Sequence, residues 1–373
     1  MSVRLLGAQE IEDIATGAAL LGTGGGGDPF VGKLMALQAV AEHGPAKLID
    51  ASDVPDDALV VPTAMMGAPT VIIEKIPSGK EILHSFDQLQ RYLGKPVFAT
   101  MPIEAGGVNS MLPIALAATL GLPIVDADGM GRAFPELQQV TFHLHGTSAT
   151  PMLLSDEKGN TLLLTTIDNV WTERLARAAT VQMGGSVMDA IYPMTGAELH
   201  RGGIYGTITL TEKIGRVLRC SKHDGSDPIA AVLDVTGGVE LFRGKVADIV
   251  RRTDGGFVRG MAAITGSDDY HGQRMRLEFQ NENLIARTDD AVLATTPDLI
   301  VSLDVETGHP ITTEGLRYGA RVIVIGIRAN DQWRTQKGIE TVGPRYFGYD
   351  VDYIPLEDRV RAVADRAAKA KEL

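Results

Sequence analysis

A chain of 373 residues with 44% hydrophobic and 22% charged side chains has the balance of a soluble globular protein and the length of two domains. Its 35 Lys and Arg against 47 Asp and Glu leave a formal charge of −12, which repels phosphate backbones and argues against nucleic-acid binding. A single cysteine, Cys220, excludes an internal disulfide framework and a multi-thiolate metal site, and fits a reducing compartment.

The first elements alternate between helical and strand patterns. Ile11, Ile14, Ala15, Ala18 and Leu21 follow helical spacing up to a stop at Gly22. After a glycine run, Asp28 as N-cap and Pro29 in the first turn open a second helix with Leu34, Leu37 and Ala41 inward. Strand-like runs follow at Lys47–Asp50, Leu59–Thr63 and Pro69–Ile73, and Ile82, Phe86, Leu89 and Leu93 mark a helix. Strand Val97–Met101, helix Ser110–Leu120 and strand Ile124–Asp126 then form a βαβ unit, which requires parallel strands. The uncharged stretch Ala105 to Val125 is broken by Asn109, Ser110, Pro113, Gly121 and Pro123, so a buried helix and strand is expected rather than a membrane span. No secretory signal opens the chain, and a cytoplasmic location is expected.

Beyond about residue 166 helices are expected around Val170–Val181 and Ile208–Leu218, and strands dominate from Val239. Arg274–Phe279 alternates polar and apolar residues before a hairpin tip at Asn281–Asn283; Val292–Val305 and Arg321–Ile327 are further strands, and Leu356–Leu373 a surface helix. The fold class read from this order is α/β: an N-terminal parallel-sheet domain over 1–165 and a β-rich α+β domain over 166–373.

Three segments carry candidate chemistry. The run Gly24, Gly25, Gly26, Gly27 and Asp28 follows a helix rather than a buried strand and lacks a following Lys-Ser or Lys-Thr, so no nucleotide cofactor is expected. It is either a helix C-cap leading into the next helix or a backbone nest offering N–H groups to a carboxylate or ring carbonyl. The loop from Asp126 through Asp128, Arg132 and Glu136 begins at a strand's carboxyl end, where open α/β sheets bind ligands. Its alternative is an Asp-stabilised turn with Arg132 pairing one carboxylate. Glu104, Gly107 and Asn109 follow the preceding strand and land beside that loop, with Asn109 or Ser110 also suited to helix capping. His143 and His145, placed on one face of a strand, suit a divalent metal such as zinc or a half-exposed surface. No Gly-x-Ser-x-Gly or His-Glu-x-x-His motif occurs.

The runs Leu21–Pro29, Gly106–Ser110 and Asp126–Glu136, with Pro297-Asp298-Leu299-Ile300 and the segment from Gly343 to Asp350, resemble the S-methyl thiohydantoin desulfurase family over nearly the whole chain. The resemblance implies a hydrolase that replaces a ring S-methyl group by water and releases methanethiol; a non-catalytic partner of a hydantoinase-type enzyme, binding a ring metabolite, is the alternative. A homo-oligomer is expected by analogy with such enzymes. Addition to the amidine-like carbon needs one carboxylate to activate water and one donor on a ring nitrogen. Asp126, nearer the strand, is expected to be buried and protonated, Asp128 at the turn tip to be the base, with Arg132 holding one of them.

Overall fold

The computed structural model describes residues 2–68, 71, 75 and 77–371, with side chains up to residue 363. The first half runs β1 (Val3–Leu6), α1 (Ala8–Leu21), α2 (Phe30–His43), β2 (Ala46–Asp50), β3 (Leu59–Gly67), α3 (Glu81–Leu93), β4 (Ala99–Pro102), α4 (Leu112–Leu120) and β5 (Pro123–Asp128). It continues through α5 (Thr141–Leu144), β6 (Met152–Ser155), β7 (Thr161–Leu164), α6 (Asn169–Gln182), β8 (Ser186–Ala190), β9 (Met194–Thr195), α7 (Gly196–Gly202) and β10 (Ile204–Tyr205). The expected strand Pro69–Ile73 lies, Val71 apart, outside the described residues.

These strands build one mixed sheet in the order β1-β2-β5-β4-β3-β8-β6-β7, with β10 joined to β5 and β9 to β3. The expected parallel heart is there: β2 with β5, β5 with β4 and β4 with β3 are parallel. Asp126 stands near the carboxyl end of β5, two residues before its last. The flanks are antiparallel, because β3 pairs β8 from Thr63↔Ala190 to Gly67↔Ser186. The sheet therefore takes in β8, β9 and β10, which come after residue 165.

Helices α8 (Thr207–Asp224) and α9 (Pro228–Thr236) lead into the second sheet: β11 (Val239–Asp254), β12 (Phe257–Gly266), β13 (Arg274–Gln280), β14 (Glu282–Thr288), β15 (Val292–Thr295), β16 (Leu299–Asp304), β17 (Pro310–Ile311) and β18 (Arg321–Ile327). Its order, β15-β14-β13-β12-β11-β18-β16-β17, is antiparallel throughout. The run read as a single strand over Val292–Val305 is two strands, interrupted at the cis bond Thr296-Pro297. Helices α10 (Gln336–Val342) and α11 (Leu356–Lys371) complete the chain, the last two residues of the expected surface helix lying outside the described residues.

Two contacts lock helix α1 to α8. A Cβ on Gly17 would come within 1.9 Å of the Thr211 carbonyl oxygen, and one on Gly215 within 1.9 Å of that of Asp13, so the backbones meet where only glycine fits. Beside them Arg219 grips buried Asp13 with two bonds of 2.8 Å, the bidentate geometry that fixes orientation as well as charge. This crossing sets the glycine run after α1 against the second sheet.

Candidate functional site

The loops after β4 and β5 leave the carboxyl ends of neighbouring parallel strands and pack side by side. Asp128 ties them together: it accepts from the backbone N–H of Ala105 at 2.6 Å and of Gly131 at 2.8 Å. It is fully buried, and burial raises its pKa to about 7 against the lowering effect of those bonds. Asp126 is the more exposed of the two and accepts from the Thr209 N–H at 3.0 Å and from its hydroxyl, at the first turn of α8. The expected burial order is thus reversed. Asp126 and Asp128 share a face of β5, so alternation does not separate them; the backbone N–H groups of the two loops enclose Asp128, whereas Asp126 meets the first turn of α8.

Arg132 does not hold a carboxylate as expected. Fully buried, it donates from Nε to the Ala133 carbonyl (3.0 Å) and from one terminal nitrogen to Pro297 (3.3 Å) and Asp298 (2.8 Å) carbonyls. Its other terminal nitrogen reaches the Thr23 hydroxyl (2.8 Å) and the Asn283 carbonyl (3.1 Å). All five donors of the guanidinium are used, and four of the five bonds join the β5 loop to the glycine run and the second sheet. Burial lowers its pKa to about 10, offset by the negative charges of Glu282, Asp298 and Glu104.

Between the two sheets lies a cleft lined by residues of β3, β8, the loops after β4 and β5 and the Asn281-Glu282 hairpin tip. Of the residues singled out from the sequence, Gly26, Glu104, Asn109 and Glu136 line it. Glu104 Oε1 takes the Asn109 side-chain amide at 2.7 Å, while Asn109 Oδ1 accepts from the Met65 N–H at 2.7 Å, so β3 positions the pair. Glu136 is held at the rim by the Tyr346 hydroxyl, 2.6 Å away. Asp126, Asp128, Arg132, Gly24, Gly25, Gly27, Asp28, Gly107, His143 and His145 are not among the lining residues. Of the glycine run, offered as a backbone nest, only Gly26 lines the cleft.

The glycines serve close packing between the sheets. The Gly24 carbonyl accepts from the Thr313 N–H at 2.7 Å and the Thr23 carbonyl from the Asn283 N–H at 2.8 Å. A Cβ on Gly25 would stand 2.1 Å from Glu282 Oε1, and one on Gly107, at φ 60, 2.1 Å from the Gly26 oxygen. The Gly26 N–H does meet a carboxylate, but it is the protein's own: Glu282 Oε1, at 3.1 Å. Asp28 is exposed and accepts from the Phe30 N–H at 2.9 Å, while Pro29 takes the N-cap position of α2 that was expected of Asp28.

Two cleft carboxyls were not singled out from the sequence. Glu282 begins β14, next to Asn281, whose positive φ of 55° makes the hairpin tip. Asp189 lies on β8 opposite Ala64 of β3, and both line the cleft. Both carboxyls are fully or nearly fully buried. Three of the cleft carboxyls have an unpartnered oxygen: Glu104 Oε2, Glu282 Oε2 and both oxygens of Asp189 have no hydrogen bond among the described residues. Burial, then the neighbouring Glu282, pushes the Glu104 pKa well above its usual range; burial raises Glu282 to about 8, countered by Arg132, and Asp189 to about 7, countered by Arg177. The available sequence signals were a lone acid inside the apolar run Ser186–Ala190 and an acid at a hairpin tip.

The expected histidine strand is instead the short helix α5, so His143 and His145 do not share a strand face. Thr141 starts it by binding the Gly129 carbonyl at 2.9 Å, which turns the chain away from extension. His143 Nδ1 is 3.1 Å from the Asn169 amide and His145 Nε2 is 2.9 Å from Gln332 Oε1, so each ring faces a different element. No group of three or more His, Cys, Asp or Glu side chains able to hold a metal occurs among the described residues, and no helix among them is long and apolar enough to cross a membrane.

The fold recurs in a crystal structure of a protein from Chromobacterium violaceum, 24% identical, which superimposes with a TM-score of 0.79 over 95% of this chain and 100% of that one. Comparison with curated proteins gives no match. The S-Me-THD-like N-terminal domain matches residues 9–166 and the S-Me-THD-like C-terminal domain residues 167–356. With both halves matched in order, and the cleft lying between the two sheets, the chain belongs to the S-Me-THD-like family, that of S-methyl thiohydantoin desulfurase.

Proposed function

We propose that the protein hydrolyses an S-methyl thiohydantoin-type ring, exchanging the S-methyl group for oxygen. One observation carries this reading beyond family membership: Glu104 and Glu282 line one cleft, each with a buried oxygen that has no hydrogen bond among the described residues. With both carboxyls buried in one cleft and the charge of Glu282 raising the pKa of Glu104, ionising both at neutral pH is disfavoured, so the pair keeps a proton and divides into an acid and a base. Glu282, with the Gly26 N–H on one oxygen and Arg132 nearby, ionises first; Glu104 retains the proton.

The reaction then balances as follows. Ionised Glu282 takes a proton from water as its oxygen adds to the ring carbon bearing sulfur, and Glu104 donates its proton to the adjacent ring nitrogen. The tetrahedral adduct collapses to C=O with the C–S bond electrons leaving on sulfur. The methanethiolate takes the proton held by Glu282, and a proton from the hydroxyl of the adduct restores Glu104. A thiolate needs less acid help to leave than an alkoxide, thiols being far more acidic than alcohols, with the cysteine thiol at a pKa of about 8.5.

The test is methanethiol release from S-methyl thiohydantoins by the purified protein, with and without chelator, and by Glu104→Gln and Glu282→Gln. Release that falls about a hundredfold or more in both variants supports the reading. Ring binding without release from the wild type would overturn it in favour of a non-catalytic ring-binding partner. Because the base ionises at about 8, kcat/KM is expected to rise close to tenfold per pH unit below that value and to level off above it.

A further inference from the structure

We infer that Asp189 is the group that receives a ring N–H of the ligand and thereby sets which nitrogen faces Glu104. The inference rests on the ring-hydrolysis reading above and adds a recognition residue to it. Asp189 is fully buried, faces the cleft beside Ala64, and makes no hydrogen bond through either oxygen among the described residues. Buried polar atoms in folded proteins nearly always find a partner, and a buried carboxyl with neither oxygen bonded is an exception that asks for one.

The cation whose charge acts on it does not bond to it. Arg177 donates from Nε to Glu173 at 2.7 Å and from a terminal nitrogen to the Pro135 carbonyl at 2.9 Å, and its guanidinium lies 4.4 Å from the centre of the Phe257 ring. It influences Asp189 through space, not through a bond. With no donor to either oxygen among the described residues, we assign the missing donor to what fills the cleft.

Position gives the donor's chemistry. Glu104 follows β4 and Asp189 sits on β8, with β3 between them, so their backbones are two strand spacings apart, roughly 10 Å. That span suits one small ring with a hydrogen bond on each side. The carbon bearing sulfur lies between two ring nitrogens; with Glu104 at one, the other is directed toward Asp189. A carboxylate accepts an N–H and cannot accept an N-methyl group. Asp189 is a binding residue in this picture, and the two carboxyls read the two edges of the ring.

The experiment uses hydantoin, 1-methylhydantoin and 3-methylhydantoin as product-like probes in titration calorimetry at pH 8, on the full chain. Wild type is expected to bind hydantoin and to reject one N-methyl isomer by tenfold or more, the usual loss for a hydrogen bond to a charged group. Asp189→Val, which suits a strand and removes the acceptor, should bind hydantoin at least tenfold more weakly and lose the preference between hydantoin and that isomer. Asp189→Asn, which keeps shape and one acceptor oxygen, should retain part of the preference; it also carries the test if the Val variant does not fold. Unchanged affinity and preference in the folded Val variant, or in Asn when Val does not fold, would overturn the inference while methanethiol release still stood. Failure of wild type to bind any of the rings would instead remove the hydrolysis reading and this one with it.

Discussion

Replacing Glu282 by Gln tests the buried pair through stability as well as rate. Glu282 has its pKa raised from 4.5 to about 8, chiefly by burial. A carboxyl whose folded pKa lies above its unfolded value contributes stability that is complete below the unfolded pKa, and that stability is lost as pH rises through the folded one. The window is therefore from about pH 4.5 to about pH 8. At 1.36 kcal/mol per pH unit the full linkage is roughly 5 kcal/mol, and water entry and relaxation on ionisation reduce what is measured to between about 2 and 5 kcal/mol. Glu282→Gln keeps the shape and the oxygen that accepts from Gly26 but cannot ionise. Urea unfolding at pH 5 and pH 9 should show similar stability for both proteins at pH 5 and a variant more stable than wild type by that margin at pH 9. The same variant should lose methanethiol release by two orders of magnitude or more. Parallel stability curves between pH 5 and pH 9 would refute a protonated, buried Glu282, and with it the division of labour between the two glutamates.

Gly25→Ala would drive a methyl group into Glu282, 2.1 Å from Oε1; we expect methanethiol release to fall more than tenfold, with a stability loss of about 1–3 kcal/mol. A normal rate would contradict the placement of Glu282. Arg132→Met leaves the carbonyls of Pro297, Asp298 and Asn283 without their donor and should cost about 3–5 kcal/mol in denaturant unfolding; a loss under about 1 kcal/mol would remove its role as the tie between the sheets. Asp126→Ala unpins Thr209 at the start of α8, so the expected change is about 1 kcal/mol in stability with methanethiol release within twofold of wild type. A hundredfold loss of release there would return Asp126 to the chemistry.

What the sequence determined by itself was local. The βαβ unit ending at β5, the helix stop at Gly22 and the strand pattern of Arg274–Gln280 depend on spacing, caps and turn residues within one element, and they are readable there. The same logic brought Glu104, Asn109 and Glu136 to strand ends, where parallel sheets open their clefts. Tertiary structure decided which carboxyl is covered and which is unsatisfied. Asp126 and Asp128 look alike in β5 until α8 takes one and the loop encloses the other. Arg132 reads as a partner for its neighbours, yet its partners are 109, 151, 165 and 166 residues distant in all but one of its bonds. Glu282 meets Gly26 across 256 residues, and Asp189 joins the cleft only because β8 pairs antiparallel with β3. Burial and pairing between distant segments follow from register and from sheet-on-sheet packing, and a one-residue change in the register of β8 or β14 would turn Asp189 or Glu282 to the opposite face.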